Sequence, residues 1–240
     1  QELVTPALTY LDALAAEAEG DDQLQRELSE AYMKVGQVQG YYAKGNLGDF
    51  DGAAESFRKA LEIRLALLEK HADDLAILRS VTTTRNHLAN LHFSQGRSAL
   101  ALEEYRAVAA IREALVARAA PGSEQQRDFE RDLSISYQWI GNALRQLKRI
   151  DEALVAYRQQ HEIVSRLARE DDTLAMRDVS VSHEKLGDIL REQGKFDAAI
   201  EEFIASRAIR EKRLAGDPEN VEARTDLAVS ESKIGYALLE

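Results

Sequence analysis

The sequence predicts an all-α solenoid of about ten antiparallel-paired helices, and three observations predict it. An aromatic and an isoleucine six residues apart recur as Phe57/Ile63, Tyr105/Ile111, Tyr157/Ile163 and Phe203/Ile209. An alanine stands four residues before each aromatic (Ala53, Ala101, Ala153, Ala199). Upstream, a second series of small residues, Gly36, Ala89, Gly141, Gly187 and Gly235, follows Val, Leu or Ile each time. The whole unit returns every 46 to 53 residues, the period of stacked helical repeats whose function lies in a surface.

The elements follow in order. A leader helix over 2–19, within a segment 1–21, precedes repeat 1 over 22–72, with helices 22–43 and 49–70 separated by an insertion. Repeat 2 spans 73–121 with helices 74–95 and 98–118, and repeat 3 spans 122–171 with helices 124–147 and 150–170. Repeat 4 spans 172–217 with helices 173–193 and 196–215. A last helix over 219–239 makes 218–240 a half repeat or a cap, so that 1–240 reads as a single array.

In repeat 3, Leu133, Tyr137, Ile140 and Leu144 form one apolar stripe at i, i+4, i+7, i+11. Arg145-Gln-Leu-Lys-Arg149 then breaks the pattern as a turn, and the next stripe runs through Ala153, Tyr157, Ile163 and Leu167. Asp73-Asp74, Pro121-Gly122-Ser123, Asp171-Asp172 and Gly216-Asp217-Pro218 mark the boundaries, where Asp or Ser can accept bonds from the first free N–H groups of a helix. A small residue in mid-helix lets the partner helix approach closely. Gly costs about 1 kcal/mol against Ala in a helix, so its return at one phase implies a packing reason.

Composition narrows the function. The net charge of −11 opposes a phosphate-backbone partner, which demands a basic face, so no nucleic-acid partner is expected. Zero cysteines remove thiol catalysis, disulfides and Cys-based zinc sites together. Only Pro6, Pro121 and Pro218 interrupt the chain, and no apolar run reaches the roughly 18 residues of a membrane span, so direct membrane insertion is not expected. Gln1 opens without a signal-peptide pattern, and the absent initiator Met suggests a fragment or a processed chain.

No chemistry-bearing constellation emerges. His71, His87, His92, His161 and His183 show no metal-ligand spacing, and the Asp pairs lack the alternation of a calcium loop. No Gly-x-Ser-x-Gly, P-loop or dinucleotide fingerprint is present. The expectation is a protein that is not an enzyme, with no catalytic residue, no metal and no cofactor.

Two stretches carry a family resemblance. Leu88-Ala-Asn-Leu with Gln95-Gly-Arg-Ser-Ala-Leu-Ala-Leu-Glu-Glu-Tyr105, and Leu186-Gly-Asp-Ile-Leu with Gly194-Lys-Phe-Asp-Ala-Ala-Ile-Glu-Glu-Phe203, resemble tetratricopeptide repeats. The spacing of twelve from small residue to alanine holds in repeats 2, 3 and 4. The long period is similar to that of kinesin light chains, whose second helix is extended. The resemblance covers residues 22–240 and implies a right-handed superhelix that binds proteins or peptides without catalysis. Tyr10-Leu-Asp-Ala-Leu-Ala-Ala-Glu-Ala and Leu24-Gln-Arg-Glu-Leu-Ser-Glu-Ala-Tyr-Met-Lys-Val-Gly-Gln-Val-Gln-Gly40 further resemble the repeat region that follows the kinase domain of some bacterial serine/threonine kinases. No kinase signature occurs here, so that resemblance implies a sensor or docking arm of a signalling protein. It favours the cytoplasm, or an extracytoplasmic position for a chain tethered behind a membrane helix.

The tetratricopeptide resemblance also implies a site. In that family the residues three before, one after and four after the small position face a concave groove. Here these are Met33 and Gln37; Asn86, Asn90 and Phe93; Gln138, Asn142 and Arg145; Glu184, Asp188 and Arg191; Ser232 and Tyr236. Asn90 and Asn142 match the amide that peptide-binding members place after the glycine, whereas Gln37 and Asp188 depart from it. A row of amides can satisfy an extended backbone, and Arg145 and Arg191 can meet a carboxylate. The competing reading is a self-satisfied polar surface in which Arg145 pairs with Asp188 and Arg191 with Glu184 or Glu192. The insertion at Tyr41-Tyr42 is a possible secondary surface, either packed down or open to a partner. The alternative function is self-association, yielding a homo-oligomer through apolar positions of the last helix such as Leu227, Ile234 and Leu238.

Overall fold

The computed structural model describes residues 4–40, 46–169 and 172–239. The Tyr41-Tyr42 surface and Asp171 therefore lie outside the described residues. Ten helices and no strand occur among them: α1 Val4–Glu17, α2 Asp22–Gly40, α3 Phe50–Lys70, α4 Leu75–Ser94, α5 Ser98–Arg118, α6 Glu124–Gln146, α7 Ile150–Leu167, α8 Thr173–Glu192, α9 Phe196–Gly216 and α10 Val221–Leu238. Each predicted helix has its counterpart. α7 ends three residues earlier than expected, because Ala168 takes an extended backbone after its N–H closes the last turn on the Val164 carbonyl.

The boundaries have a common chemistry. Side chains of Asp74, Ser123, Asp172 and Asn220 accept bonds from the opening N–H groups of α4, α6, α8 and α10. Within each pair the turn passes through a left-handed residue, Gly48, Gly96 or Gly194 at φ 72°. Lys148 holds the equivalent place in the third pair at φ 60°, although its Cβ makes that conformation unfavourable.

The chain divides into two compact units, Gln1–Ile111 and Arg112–Glu240, with the division falling inside α5. In the first unit α2 pairs with α3, and α1 and α4 pack on either side of that pair. Its core gathers Leu11, Leu28, Tyr32, Ala53, Phe57, Leu67, Ile77, Val81 and Leu88. The α1 helix is tied down by Asp12, which accepts from the Tyr32 hydroxyl and from Lys59 Nζ, each at 2.6 Å. In the second unit α6 pairs with α7, α8 with α9, and α10 closes on α9.

Each pair is locked by one ring. Phe57, Tyr157 and Phe203 are fully buried, and each lies flat against the glycine of its partner helix. A Cβ built on Gly36 would stand 2.6 Å from Phe57 Cε1, and Gly141 and Gly187 meet Tyr157 and Phe203 just as closely. The glycines are therefore space that the rings occupy. Neighbouring pairs are joined differently, by arginines seven residues after the aromatic. Arg64 donates to the Ser80 carbonyl and Thr84 Oγ1 of α4 at 3.0 and 2.6 Å. Arg112 donates to the Asp132 carbonyl and Ser136 Oγ of α6, both at 2.7 Å. Arg210 donates to the Asp226 carbonyl and Ser230 Oγ of α10 at 2.6 and 2.7 Å.

Gly141→Ala should destabilise the protein by about 1–2 kcal/mol in urea unfolding. Overpacking against an immobile ring outweighs the gain in helix propensity. Ala89, which already holds a methyl at the same repeat position, should lose about 1 kcal/mol on replacement by Gly.

Candidate partner-binding face

The first helix of each pair presents one stripe at i, i+3, i+7, i+10. In the first unit α4 places Thr83, Asn86, Asn90 and Phe93 on it. Asn86, Asn90 and Phe93 are half-buried. On α2, Gln37 is exposed, but Met33 is buried in the core and does not face outward. The expectation for Met33 is corrected here: its side chain belongs to the apolar core of the first unit.

In the second unit the stripes are Ile135, Gln138, Asn142 and Arg145 on α6, and Val181, Glu184, Asp188 and Arg191 on α8. On α10 they are Val229, Ser232, Tyr236 and Leu239. Gln138, Asn142, Arg145 and Arg191 are half-buried. Charged rungs tie these three helices together. Arg145 Nε donates to Glu192 Oε1 at 2.6 Å and stands 3.7 Å from Asp188. Lys233 Nζ reaches both Asp188 oxygens at 2.7 Å and Glu184 Oε1 at 2.8 Å. Glu184 also accepts from Arg210 at 2.6 Å. Burial pushes the Glu184 carboxyl up, but Lys233 and Arg210 override it and hold the group below its ordinary range. Burial lowers the Lys185 amine, and Lys233 and Arg145 add to this against Asp188 and Glu184.

These pairings distribute the predicted site residues unevenly. Asp188 is buried with both oxygens engaged, and Arg145 is committed to Glu192 and Asp188. Glu184 is engaged by Arg210 and Lys233, and Glu192 by Arg145. The amides behave otherwise. Asn90 Oδ1 accepts from the Tyr105 hydroxyl at 2.7 Å, and Asn142 Oδ1 from the Tyr157 hydroxyl at 2.9 Å. Asn follows the small residue only in the pairs whose ring is tyrosine; Gln37 and Asp188 accompany Phe57 and Phe203. Each tyrosine thus fixes its asparagine and turns the amide N–H₂ outward. Gln138 accepts from Gln160 Nε2 at 3.0 Å.

Sequence reasoning missed an apolar row. Ile135 and Val229 are exposed and Val181 is half-buried, each six residues before the small position. Their spacings of 46 and 48 residues equal those of the glycines and carried the signal. Among the described residues no helix is long and apolar enough to cross a membrane, and no group of three acidic or histidine side chains could hold a metal.

Comparison with known proteins agrees with this geometry. Models described as tetratricopeptide repeat match residues 81–118, and residues 40–66 and 135–163. The chain carries tetratricopeptide repeats. Repeats of this type are protein-interaction scaffolds. No curated protein matches the sequence. Among solved structures, the chain is similar to BtubC (BKLC) from P. vanneervenii, with 18% identity, a TM-score of 0.51, and coverage of 98% of this chain and 87% of that one. It is also similar to the nearly identical TPR-like repeats of a putative kinesin light chain from Podosopora anserina. There identity is 18%, the TM-score 0.54, and coverage 89% and 86%. At that identity the likeness speaks for the tetratricopeptide fold alone.

Tyr157→Phe should cost about 0.5–1.5 kcal/mol, the worth of one hydrogen bond, since Phe57 and Phe203 show that the ring packs without a hydroxyl. Asn142→Ala should cost more, about 1–3 kcal/mol, because it strands a buried hydroxyl. Urea titrations of both variants check the order.

Proposed function

We propose that the chain is a non-catalytic scaffold that binds an extended segment of a partner protein along the first helices of its repeats. The observation that carries this reading is the pinning of Asn90 and Asn142. Their carbonyl oxygens are spent on buried tyrosines, and their N–H₂ donors have no partner among the described residues. A fixed, unspent donor can meet a backbone carbonyl at little cost in side-chain entropy. Asn86 and Phe93 flank Asn90 on α4; Gln138, Arg145 and Arg191 accompany Asn142 in the second unit. There the apolar row of Ile135, Val181 and Val229 supplies burial for a ligand's side chains. Asp188 acts by holding Lys233 and Arg145 rather than by touching the ligand.

Selection of displayed peptides on the immobilised full chain tests this. Binding peptides should lose about tenfold or more in affinity on Asn90→Ala or Asn142→Ala, while both variants keep their helical spectrum. Undiminished binding by both folded variants would remove the site from these faces.

The finer reading rests on the N-terminal resemblance: the repeats serve as the sensor or docking region of a bacterial signalling protein such as a serine/threonine kinase. An antibody against this chain should then detect, in source cells, a polypeptide long enough to include a kinase domain and able to phosphorylate itself. Detection of a 26.8 kDa species alone would sink it.

One observation favours the self-association reading. α10 exposes Val221, Tyr236 and Leu238, although Leu227 and Ile234 are half-buried. A sedimentation mass that stays monomeric as concentration rises would exclude it.

A further inference from the structure

The repeats are copies of one another, so each joint serves as the control for the next. Between α3 and α4, between α5 and α6, and between α9 and α10, the joint is made by an arginine that reaches a carbonyl and a hydroxyl of the following helix. Between α7 and α8 that arginine is replaced by Val164, which is buried and has nothing to donate. The hydroxyl of the set is still present as Ser182, and His161 takes the vacated bond, its Nδ1 lying 2.9 Å from Ser182 Oγ. Ser182 already donates its only hydroxyl proton to the Val179 carbonyl, so His161 must be the donor, with the proton on Nδ1.

A second arginine is exchanged beside this joint, within the α8–α9 pair. Arg85 pairs with Glu104 in the first unit; the residues equivalent to them in the second are His183 and Glu202, joined at 2.6 Å from Nδ1 to Oε2. The two imidazoles thereby come into tilted contact, with ring centroids 4.5 Å apart and planes inclined by 60°. Their separation in sequence, His161 on α7 and His183 on α8, had hidden this contact. Where the other joints use guanidinium groups that stay charged at every physiological pH, this one uses imidazoles.

We propose that the α7–α8 joint is an acid-sensitive hinge within the second unit, closed by neutral His161 and loosened when His161 becomes charged beside the His183 ring. Glu202 is engaged by His183 Nδ1, so an imidazolium at His161 faces the His183 ring and has no carboxylate of its own within ion-pair distance among the described residues. The charged groups that reach His161 are His183 from α8 and Glu202 from α9; Ser165 on α7 adds only a contact of 3.4 Å to Nε2. Burial, then the His183 charge, hold the folded His161 below the ordinary imidazole value of 6.5, against a smaller upward pull from Glu202. In the unfolded chain His161 returns to that value. The unfolded state therefore binds more protons as pH falls below it, and the joint loses stability from there down to the lower folded value.

Hydrogen exchange on the full chain reads the hinge directly. Between about pH 7.5 and about pH 5.5, protection of α7 and α8 amides, corrected for intrinsic rates, should fall about threefold to tenfold relative to amides of α9 and α10, which are joined by Arg210 and carry no histidine. The double variant His161→Leu/Val164→Arg restores the leucine and arginine found at Leu61 and Arg64, and should abolish that difference. An equal fall at both joints in the natural chain, or a fall that persists in the folded double variant, would overturn the proposal. Proton titration of His161 followed by NMR in the natural chain decides the matter if the variant does not fold. A midpoint below that of free imidazole, with a concerted shift at the Ser182 amide, supports the hinge, and a midpoint at or above it overturns it.

Discussion

The contact on which the rest of this structure depends is a buried aromatic ring lying against a backbone that has no Cβ. Phe57, Tyr157 and Phe203 stand where the methyl groups of Gly36, Gly141 and Gly187 would be. Two helices that meet in this way lie close, and their apolar stripes interlock. Alanines on the second helix, Ala53, Ala153 and Ala199, are fully buried and grant the same approach from the other side. The glycines cost helix stability, and dispersion contacts around the ring offset it. The second pair reaches a similar end with Ala89 and Tyr105, both buried, so the rule is a small residue opposite a ring rather than glycine alone.

The ring also connects scaffold to surface. Where it is tyrosine, its hydroxyl passes out of the core to an asparagine on the first-helix face, fixing the orientation of an amide that a partner can use. Where it is phenylalanine, no such tether exists, and the position after the glycine is free to become Gln37 or Asp188. In the second unit Asp188 is drawn instead into a charged lattice with Lys233 and Arg145 that ties α6, α8 and α10 together. Packing and the candidate face share atoms here, so that face inherits its rigidity from the core.

Joints between pairs follow a second rule, and its exception is instructive. A guanidinium buried at Arg64 or Arg210 is tolerated because its donors find a carbonyl, a hydroxyl and a carboxylate, Glu30 or Glu184. At the joint that lacks this arginine the hydroxyl remains as Ser182 and His161 answers it, while the positions of Glu30 and Glu184 are held by Ile135 and Gln138. Permanently charged and titratable solutions to one geometric problem thus occur within a single chain.

Sequence alone determined the helices, their order and most of their ends, because period, small residues and capping side chains are local signals. It also determined which residues share a face, since a helix fixes its own angular register. It could not determine which of those residues were already spoken for. Asn90 and Tyr105 are 15 residues apart, Arg145 and Glu192 are 47 apart, and Lys233 and Asp188 are 45 apart. Whether such pairs meet depends on the distance and tilt between helices, which the bulk of the intervening side chains sets. Met33 lay on the expected stripe yet went into the core, among apolar residues supplied by other helices. The meeting of His161 with His183 likewise belongs to the tertiary structure, since neither residue carries a local mark of the other.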